Sequence, residues 1–389
     1  MGFNNLKRII SIFLTLVLLS TFSDLRVNAK QDTADKDSMK FDCESAILIE
    51  SSTGAVLYEM NADKALPPAS VTKIMTLLLV MEEIGNGNLK YTDTVTTSKD
   101  ASAMGGSQIF LKEGEEMSVY DMIKSVVIAS ANDAAYALAE HISGSEEAFV
   151  KRMNQKAKEL GMKNTYFENT NGLDDTTTKH LASARDIAIM SRELIKYDKI
   201  LEFSSTWMDT IRDGQFGLTN TNRLVRFYKG ATGLKTGSTA KAKFCVSATA
   251  KRDNMHLICV VMGAPSSDIR NSIASELLNW GFANYELYED HVDGLKPIKI
   301  YSGIERYCNI SSQFFACVIP KGQSKNITKS IILPDHINAP INKNDPIGSI
   351  EYYLNQNLLG KSGIISEINI TKIDFGALLL RILSKFILK

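Results

Sequence analysis

Ser70-Val71-Thr72-Lys73 is the first place in the chain where side chains with complementary chemistry stand at a useful spacing. A serine hydroxyl is a poor nucleophile until a neighbouring base takes its proton, and a lysine amine is such a base once its pKa is driven down. The motif follows Pro67-Pro68 and opens an apolar run from Val71 to Leu77, the start of a helix. Residues three apart on a helix share a face, so the Ser70 hydroxyl and the Lys73 amine can touch. Burial and a second cation nearby would both depress the lysine.

The motif alone says little, since Ser238-Thr239-Ala240-Lys241 repeats it and an isolated Ser70 reads equally as a helix cap. Two further motifs follow in order. Ser130-Ala131-Asn132 stands at a break between helices, and Lys235-Thr236-Gly237 stands just before a strand from Phe244 to Ala250. Ser-x-x-Lys, Ser-x-Asn and Lys-Thr-Gly, in that order and those settings, form the signature of serine acyl-transfer.

Bringing three distant motifs around one cleft takes a sheet with helices packed on it. Ser45 to Glu50 and Ala55 to Met60, separated by Ser51-Ser52-Thr53-Gly54, predict a β-hairpin. A second hairpin is expected from Phe244 to Ala250 and His256 to Met262, with its turn at Lys251-Arg252-Asp253-Asn254. Between them the apolar period is helical over Val71 to Glu83, Val119 to Ile128, Asp133 to Ile142, Glu146 to Leu160 and Ala184 to Tyr197. Ser145 can cap the fourth of these and Gly161 can end it. A last helix is expected over Ile269 to Trp280. Strands that bracket a helical middle predict an antiparallel sheet flanked by helices, an α/β fold of the α+β kind. Beyond about Tyr288 short β-prone runs, Ile298 to Tyr301, Phe314 to Ile319 and Ile350 to Leu354, predict a small all-β C-terminal domain.

With 389 residues and 44% hydrophobic content the chain can bury a sizeable core, and Lys plus Arg equals Asp plus Glu, 44 against 44. That balance gives no bulk attraction for nucleic acid, and none is expected as a partner. At the N-terminus Lys7 and Arg8 precede an apolar run from Ile9 to Phe22 and the small-residue pattern Val27-Asn28-Ala29. This predicts a cleaved export signal over residues 1–29 rather than an anchor, because the run is shorter than the ~20 residues a span needs. A polar spacer, 30–40, follows, and the body is expected to be secreted outside the cytoplasm.

Cys43, Cys245, Cys259, Cys308 and Cys317 include no C-x-x-C pair, so no metal site is expected, and no cofactor. Cys308 and Cys317 either bridge neighbouring strands or remain buried thiols. The tail, 371–389, is apolar from Ile373 to Leu388 except where Arg381, Lys385 and Lys389 recur every four residues. It predicts a C-terminal amphipathic helix lying in a membrane surface, with docking on the protein's own core as the alternative.

With these motifs in place, the chain resembles the low-molecular-mass penicillin-binding proteins, specifically the D-alanyl-D-alanine carboxypeptidases of peptidase family S11. Further segments carry the likeness: Thr53-Gly54-Ala55-Val56-Leu57-Tyr58, Asn171-Gly172-Leu173-Asp174, Ala184-Arg185-Asp186 and Val260-Val261-Met262-Gly263-Ala264. The resemblance implies a β-lactamase/transpeptidase-like catalytic domain over 41–286, a small β-rich domain over 287–370 and an anchoring helix over 371–389. It implies the peptidoglycan stem pentapeptide as substrate, β-lactam antibiotics as inhibitors and a place at the outer face of the cytoplasmic membrane.

Carried over by position, Ser70 attacks the carbonyl between the two terminal D-alanines and Lys73 accepts its proton. Ser130 relays a proton to the leaving amine, and Asn132 holds the substrate amide. Lys235, Thr236 and the hydroxyl of Ser238, with Gly237 in the same segment, bind the substrate around its free carboxylate. Backbone N–H groups of Ser70 and Ser238 stabilise the oxyanion. Two positions depart from the family pattern. Ala242-Lys243-Phe244 stands where Ala-Gly-Tyr is usual, placing a long cation at the expected edge of the substrate groove, and Ala231-Thr232-Gly233 lacks the usual acidic residue.

Three rivals share parts of this reading. A class A β-lactamase needs a glutamate to activate the deacylating water, and Glu168-Asn169-Thr170-Asn171 has its Glu and Asn one position too close. A D,D-endopeptidase would use identical chemistry on cross-links. A silent penicillin-binding scaffold would have no need of Ser70, Lys73, Ser130 and Lys235 together.

Overall fold

The computed structural model describes residues 39–174 and 177–387, with the side chains of 385–387 excepted. The export signal and most of the spacer expected from the sequence lie outside the described residues. The chain forms two compact units, a larger one ending at Tyr288 and joined by Val318–Lys321, and a smaller one of Glu289–Cys317 with the segment from Gly322 onward.

The larger unit is built on a five-stranded antiparallel sheet. Its strands are β1 (Ser45–Glu50), β2 (Val56–Met60), β3 (Ala231–Thr239), β4 (Lys243–Arg252) and β5 (Met255–Ala264), in the order β2-β1-β5-β4-β3. The two expected hairpins, β1–β2 and β4–β5, meet at the centre through the β1–β5 pairing. Period-two alternation sends their side chains to two covered faces. Ile47, Val260 and Ser247 share one row, facing helix α5 (Ala184–Leu194), where Ser191 Oγ lies 2.8 Å from Ser247 Oγ. Leu48 and Leu257 face helix α6 (Ser267–Asn284), and a Cβ on Gly281 would lie only 2.7–2.8 Å from their methyl groups. Burial on both sides explains why β5 is apolar almost throughout, a pattern that reads as a fully covered strand.

Four helices fill the middle of the chain: α1 (Lys73–Gly85), α2 (Val119–Ile128), α3 (Asn132–Ser143) and α4 (Glu146–Glu159). Helix α1 is apolar all round, with Ile74, Met75, Leu77, Leu78, Leu79, Val80 and Met81 buried, and runs through the core against α3, α4 and α5. Ser145 accepts from Ala148 N at the start of α4, as the sequence predicts, and Gly161 ends the segment at φ +72°. A hairpin of Met208–Ile211 and Phe216–Thr219 adds a small sheet that the sequence reading did not contain.

One placement differs from expectation. Lys235-Thr236-Gly237, expected just before the strand that opens at Phe244, is itself the middle of the edge strand β3, paired with Ser247, Val246 and Cys245 of β4. Gly233, Lys235 and Gly237 are poor strand formers, so the pairing with β4 and not local propensity makes β3 extended.

The smaller unit is β apart from a 3-10 turn at Ser324–Asn326 and the helix at its end. Ile298–Tyr301 (β6), Tyr307–Cys308 (β7) and His336–Asn338 form one sheet; Ile310–Ser312, Ile327–Ile332, Pro346–Leu354 and Asn357–Ser366 form another. Its centre includes Tyr352, fully buried and stacked 3.8 Å from Phe315. All five cysteines are free thiols, and Cys308 bonds Ser366 Oγ at 3.0 Å, so the bridge to Cys317 is not formed. Helix α7 (Phe375–Ile387) follows, and among the described residues no helix is long and apolar enough to cross a membrane. The guanidinium of Arg381 bonds the Gly303 and Ile304 carbonyls of its own unit, while Phe375, Leu378, Leu379, Leu380, Ile382 and Leu383 stay exposed.

Candidate active site

Ser70 sits in a 3-10 turn, Ala69–Thr72, that runs into α1 and presents Lys73 one turn away. Lys73 Nζ lies 3.0 Å from Ser70 Oγ, 2.5 Å from Asn132 Oδ1 and 2.8 Å from the Asn171 carbonyl. The side chain is wholly buried. A neutral amine has two N–H donors and one lone pair. The two carbonyl oxygens can only accept, so they engage both donors and leave the lone pair to the Ser70 hydroxyl.

The electrostatics favour that neutral form. Burial holds Lys73 well below the ordinary lysine range and repulsion from Lys235 adds to it, with Asp133 opposing. Lys235 is itself pushed down to about 7, by burial and then by Arg270, and not by Lys73.

Ser130 lies in the break between α2 and α3 at φ +62°, a left-handed conformation uncommon for a residue with a Cβ and characteristic of functional sites. Its Oγ accepts from Lys235 Nζ at 2.8 Å, and Lys235 also donates to the Thr236 carbonyl at 3.0 Å. Lys235 occupies the same cross-sheet row as Ser247, Val260 and Ile47, so it points from the edge strand toward the helices. Two bonded groups result, Ser70–Lys73–Asn132 and Lys235–Ser130, with Ser130 two residues before Asn132 in the chain.

Asn132 is held at both ends of its amide: Nδ2 donates to the Gly105 carbonyl at 2.7 Å while Oδ1 accepts from Lys73. Each group retains one bond for a ligand. Asp133, next in sequence and buried, accepts from the backbone N–H groups of Ile109, Leu111 and Ala134, fixing the start of α3.

Gly237 has a steric role. A Cβ there would lie 2.8 Å from Ser70 N and 2.9 Å from Pro68 O and Val71 N. Only glycine lets β3 approach the turn this closely, which brings Ser238, the next residue, alongside Ser70. Ser238 is exposed. Thr236 Oγ1 donates to Thr221 Oγ1 at 2.8 Å.

The expectation for Lys243 is not met. At φ +56° it turns its ammonium to Glu44, 3.1 Å away and just before β1, where Lys64 also binds at 2.7 Å. It points back across β5 toward Glu44 and not into the β3 edge. Glu168 bonds the Thr178 and Lys179 amides at 2.9 and 2.8 Å through one carboxylate oxygen, which engages it in its own loop.

Sequence reasoning did not reach four residues around this site. Asn171 binds Lys73 through its backbone, which no side-chain motif can reveal. Asp133 and Arg270 act through charge from behind, Arg270 being itself pushed down to about 10 by burial. Thr221 is the fourth; its signal is the run Asn220-Thr221-Asn222, two amide side chains flanking a hydroxyl. Among the described residues no group of His, Cys, Asp and Glu is arranged to hold a metal.

Comparison with known proteins bears directly on this arrangement. Residues 29–266 match the family model of D-alanyl-D-alanine carboxypeptidase, peptidase family S11, and 289–372 match the C-terminal domain of penicillin-binding protein 5. The chain is 43% identical over 378 residues to the D-alanyl-D-alanine carboxypeptidase DacF of Bacillus subtilis, covering 95% of this chain and 96% of that one. Penicillin-binding protein 5 of Haemophilus influenzae superimposes with a TM-score of 0.77 at 30% identity, over 86% of this chain and 99% of that one. Penicillin-binding protein D2 of Listeria monocytogenes, solved in its ampicillin-bound form, matches 63% of this chain and 99% of its own at 31% identity, TM-score 0.58.

Proposed function

The chain belongs to the D-alanyl-D-alanine carboxypeptidases of peptidase family S11, and from that premise we propose how its own residues remove the terminal D-alanine of a peptidoglycan stem peptide. The observation that carries the proposal is the three-way bonding of Lys73 Nζ to Asn132 Oδ1, Asn171 O and Ser70 Oγ. Its lone pair takes the Ser70 proton as Oγ attacks the carbonyl between the two D-alanines. The backbone N–H groups of Ser70 and Ser238 hold the oxyanion, a contribution of about 3 kcal/mol per donor.

Collapse of the tetrahedral intermediate breaks the C–N bond. The proton moves from Lys73 through Ser130 to the departing amine, and free D-alanine leaves. Lys235, Thr236 and Ser238 hold the carboxylate of that D-alanine, and the open capacity of Asn132 holds the upstream amide. Water, deprotonated by the same Lys73, then hydrolyses the ester on Ser70. A β-lactam, whose carboxylate and strained amide imitate the peptide, acylates Ser70 by the same route.

Export and membrane placement belong to this proposal too. The apolar side chains left exposed on α7 are suited to the outer surface of a cytoplasmic membrane. Incubation with a pentapeptide ending in D-Ala-D-Ala tests the reaction: mass spectrometry should show loss of one alanine, and Ser70→Ala should abolish it. Sedimentation with anionic vesicles tests the placement, and an unbound full-length mature chain would overturn it.

A further inference from the structure

Asn220-Thr221-Asn222 forms a clamp beside the site. Asn220 is buried and donates from Nδ2 to the Ser204 and Thr206 carbonyls at 3.1 and 2.8 Å. Its Oδ1 accepts from Asn222 N at 2.8 Å. Asn222, also buried, donates from Nδ2 to the Gly233 carbonyl of β3 at 2.9 Å and accepts at Oδ1 from Leu224 N at 3.2 Å. Two internal amides are thus each bonded at both ends, on either side of one exposed residue, Thr221. The backbone N–H of Thr221 donates to the Ile128 carbonyl at 3.1 Å, two residues before Ser130.

This anchoring ties Thr221 both to the segment that carries Ser130 and to the strand that carries Lys235 and Thr236. A loop whose only task was to connect would not need an exposed hydroxyl fixed from three sides. The bond to Thr236 adds direction. Thr236 Oγ1–H donates to Thr221 Oγ1, so within this pair the remaining donor is the Thr221 O–H.

We propose that Thr221 is a further substrate-binding residue, whose hydroxyl donates to the terminal carboxylate of the peptide while Thr236 orients it from behind. The proposal rests on the carboxypeptidase reading and refines its carboxylate site: the anion meets the Lys235 ammonium on one side and the Thr221–Thr236 pair on the other. A carboxylate offers about four lone-pair positions, enough for both. Recognition of the free carboxylate is what separates a terminal D-alanine from one in mid-chain, so the clamp contributes to specificity.

The test crosses two changes, Thr221→Val in the full mature chain and a terminal carboxamide in place of the carboxylate in a D-Ala-D-Ala peptide. For the acid, Thr221→Val should lower kcat/KM about tenfold, mostly through KM, the loss of one hydrogen bond to a charged group with Thr236 left as partial substitute. For the amide the same substitution should cost less than about twofold, and Thr221→Ser should restore the acid to near the original value. Equal losses on acid and amide, or no loss on either, would overturn the proposal, since a scaffolding role does not depend on substrate charge. Failure of the unaltered enzyme to release D-alanine from the acid would instead sink the carboxypeptidase reading beneath it.

Discussion

Lys235 Nζ lies 2.8 Å from Ser130 Oγ, joining the edge strand to a helix break 105 residues earlier in the chain. In the proposed reaction that single cation serves two purposes: it meets the substrate carboxylate, and its charge raises the cost of protonating Lys73. Lys73 is the base of that reaction.

Replacing Lys73 by Arg keeps a cation but not a base, because a guanidinium does not give up its proton. Lys73→Arg and Lys73→Ala should both slow acylation by a labelled penicillin about 10²–10⁴-fold, the usual worth of a general base. Rapid labelling of the Arg variant would show that charge, and not proton acceptance, is what Ser70 requires.

The pH profile of acylation should rise as Lys73 deprotonates, at a pH well below that of ordinary lysines, since its pKa is depressed in the fold. It should fall again as Lys235, at about 7, loses its charge. Lys235→Gln removes the repulsion, so the rising limb should shift to higher pH even though activity drops. A rising limb that stays in place would mean that burial alone sets Lys73.

Much of this arrangement was legible in advance, and the limits are physical. Ser70 and Lys73 share a helical face by spacing alone, and the β1–β2 and β4–β5 hairpins follow from alternation and turn residues. The strand character of Lys235-Thr236-Gly237 was hidden, since β4 dictates it across the sheet. So was the Asn171 carbonyl, because any residue type has one. Lys243 was misplaced because its partner, Glu44, lies 199 residues away. The Arg381 contacts to Gly303 and Ile304 were likewise beyond the reach of a periodic pattern, which shows a cation every four residues but not what it meets.

Gly237→Ala should damage the site through the backbone. Its Cβ would stand 2.8 Å from Ser70 N, so the turn or the strand must move. The expected cost is about 1–3 kcal/mol of stability, read by denaturant unfolding, with acylation slowed at least about tenfold. Unchanged kinetics would remove the close approach of β3 from the account of the oxyanion site.

His180 predicts an acid sensitivity unrelated to chemistry. Burial pushes its pKa down from 6.5 to about 4, and its ring accepts from Glu168 N at 3.0 Å and donates to Thr72 Oγ1 at 2.8 Å. Between those values only the unfolded chain binds the proton, so its contribution is complete above about pH 6.5 and shrinks as pH falls toward 4. The shift corresponds to roughly 3 kcal/mol. Unfolding free energies at pH 7 and 5 should therefore differ less in His180→Gln than in the unaltered chain, and an equal difference would assign the effect elsewhere.

The most direct measurement is peptide mapping of the enzyme quenched in acid during turnover of a D-Ala-D-Ala pentapeptide. The account predicts an ester-linked tetrapeptidyl group on Ser70 alone, one D-alanine released per peptide, and neither in Ser70→Ala. D-Alanine release that persists in Ser70→Ala, or an acyl group carried by another residue, would contradict it.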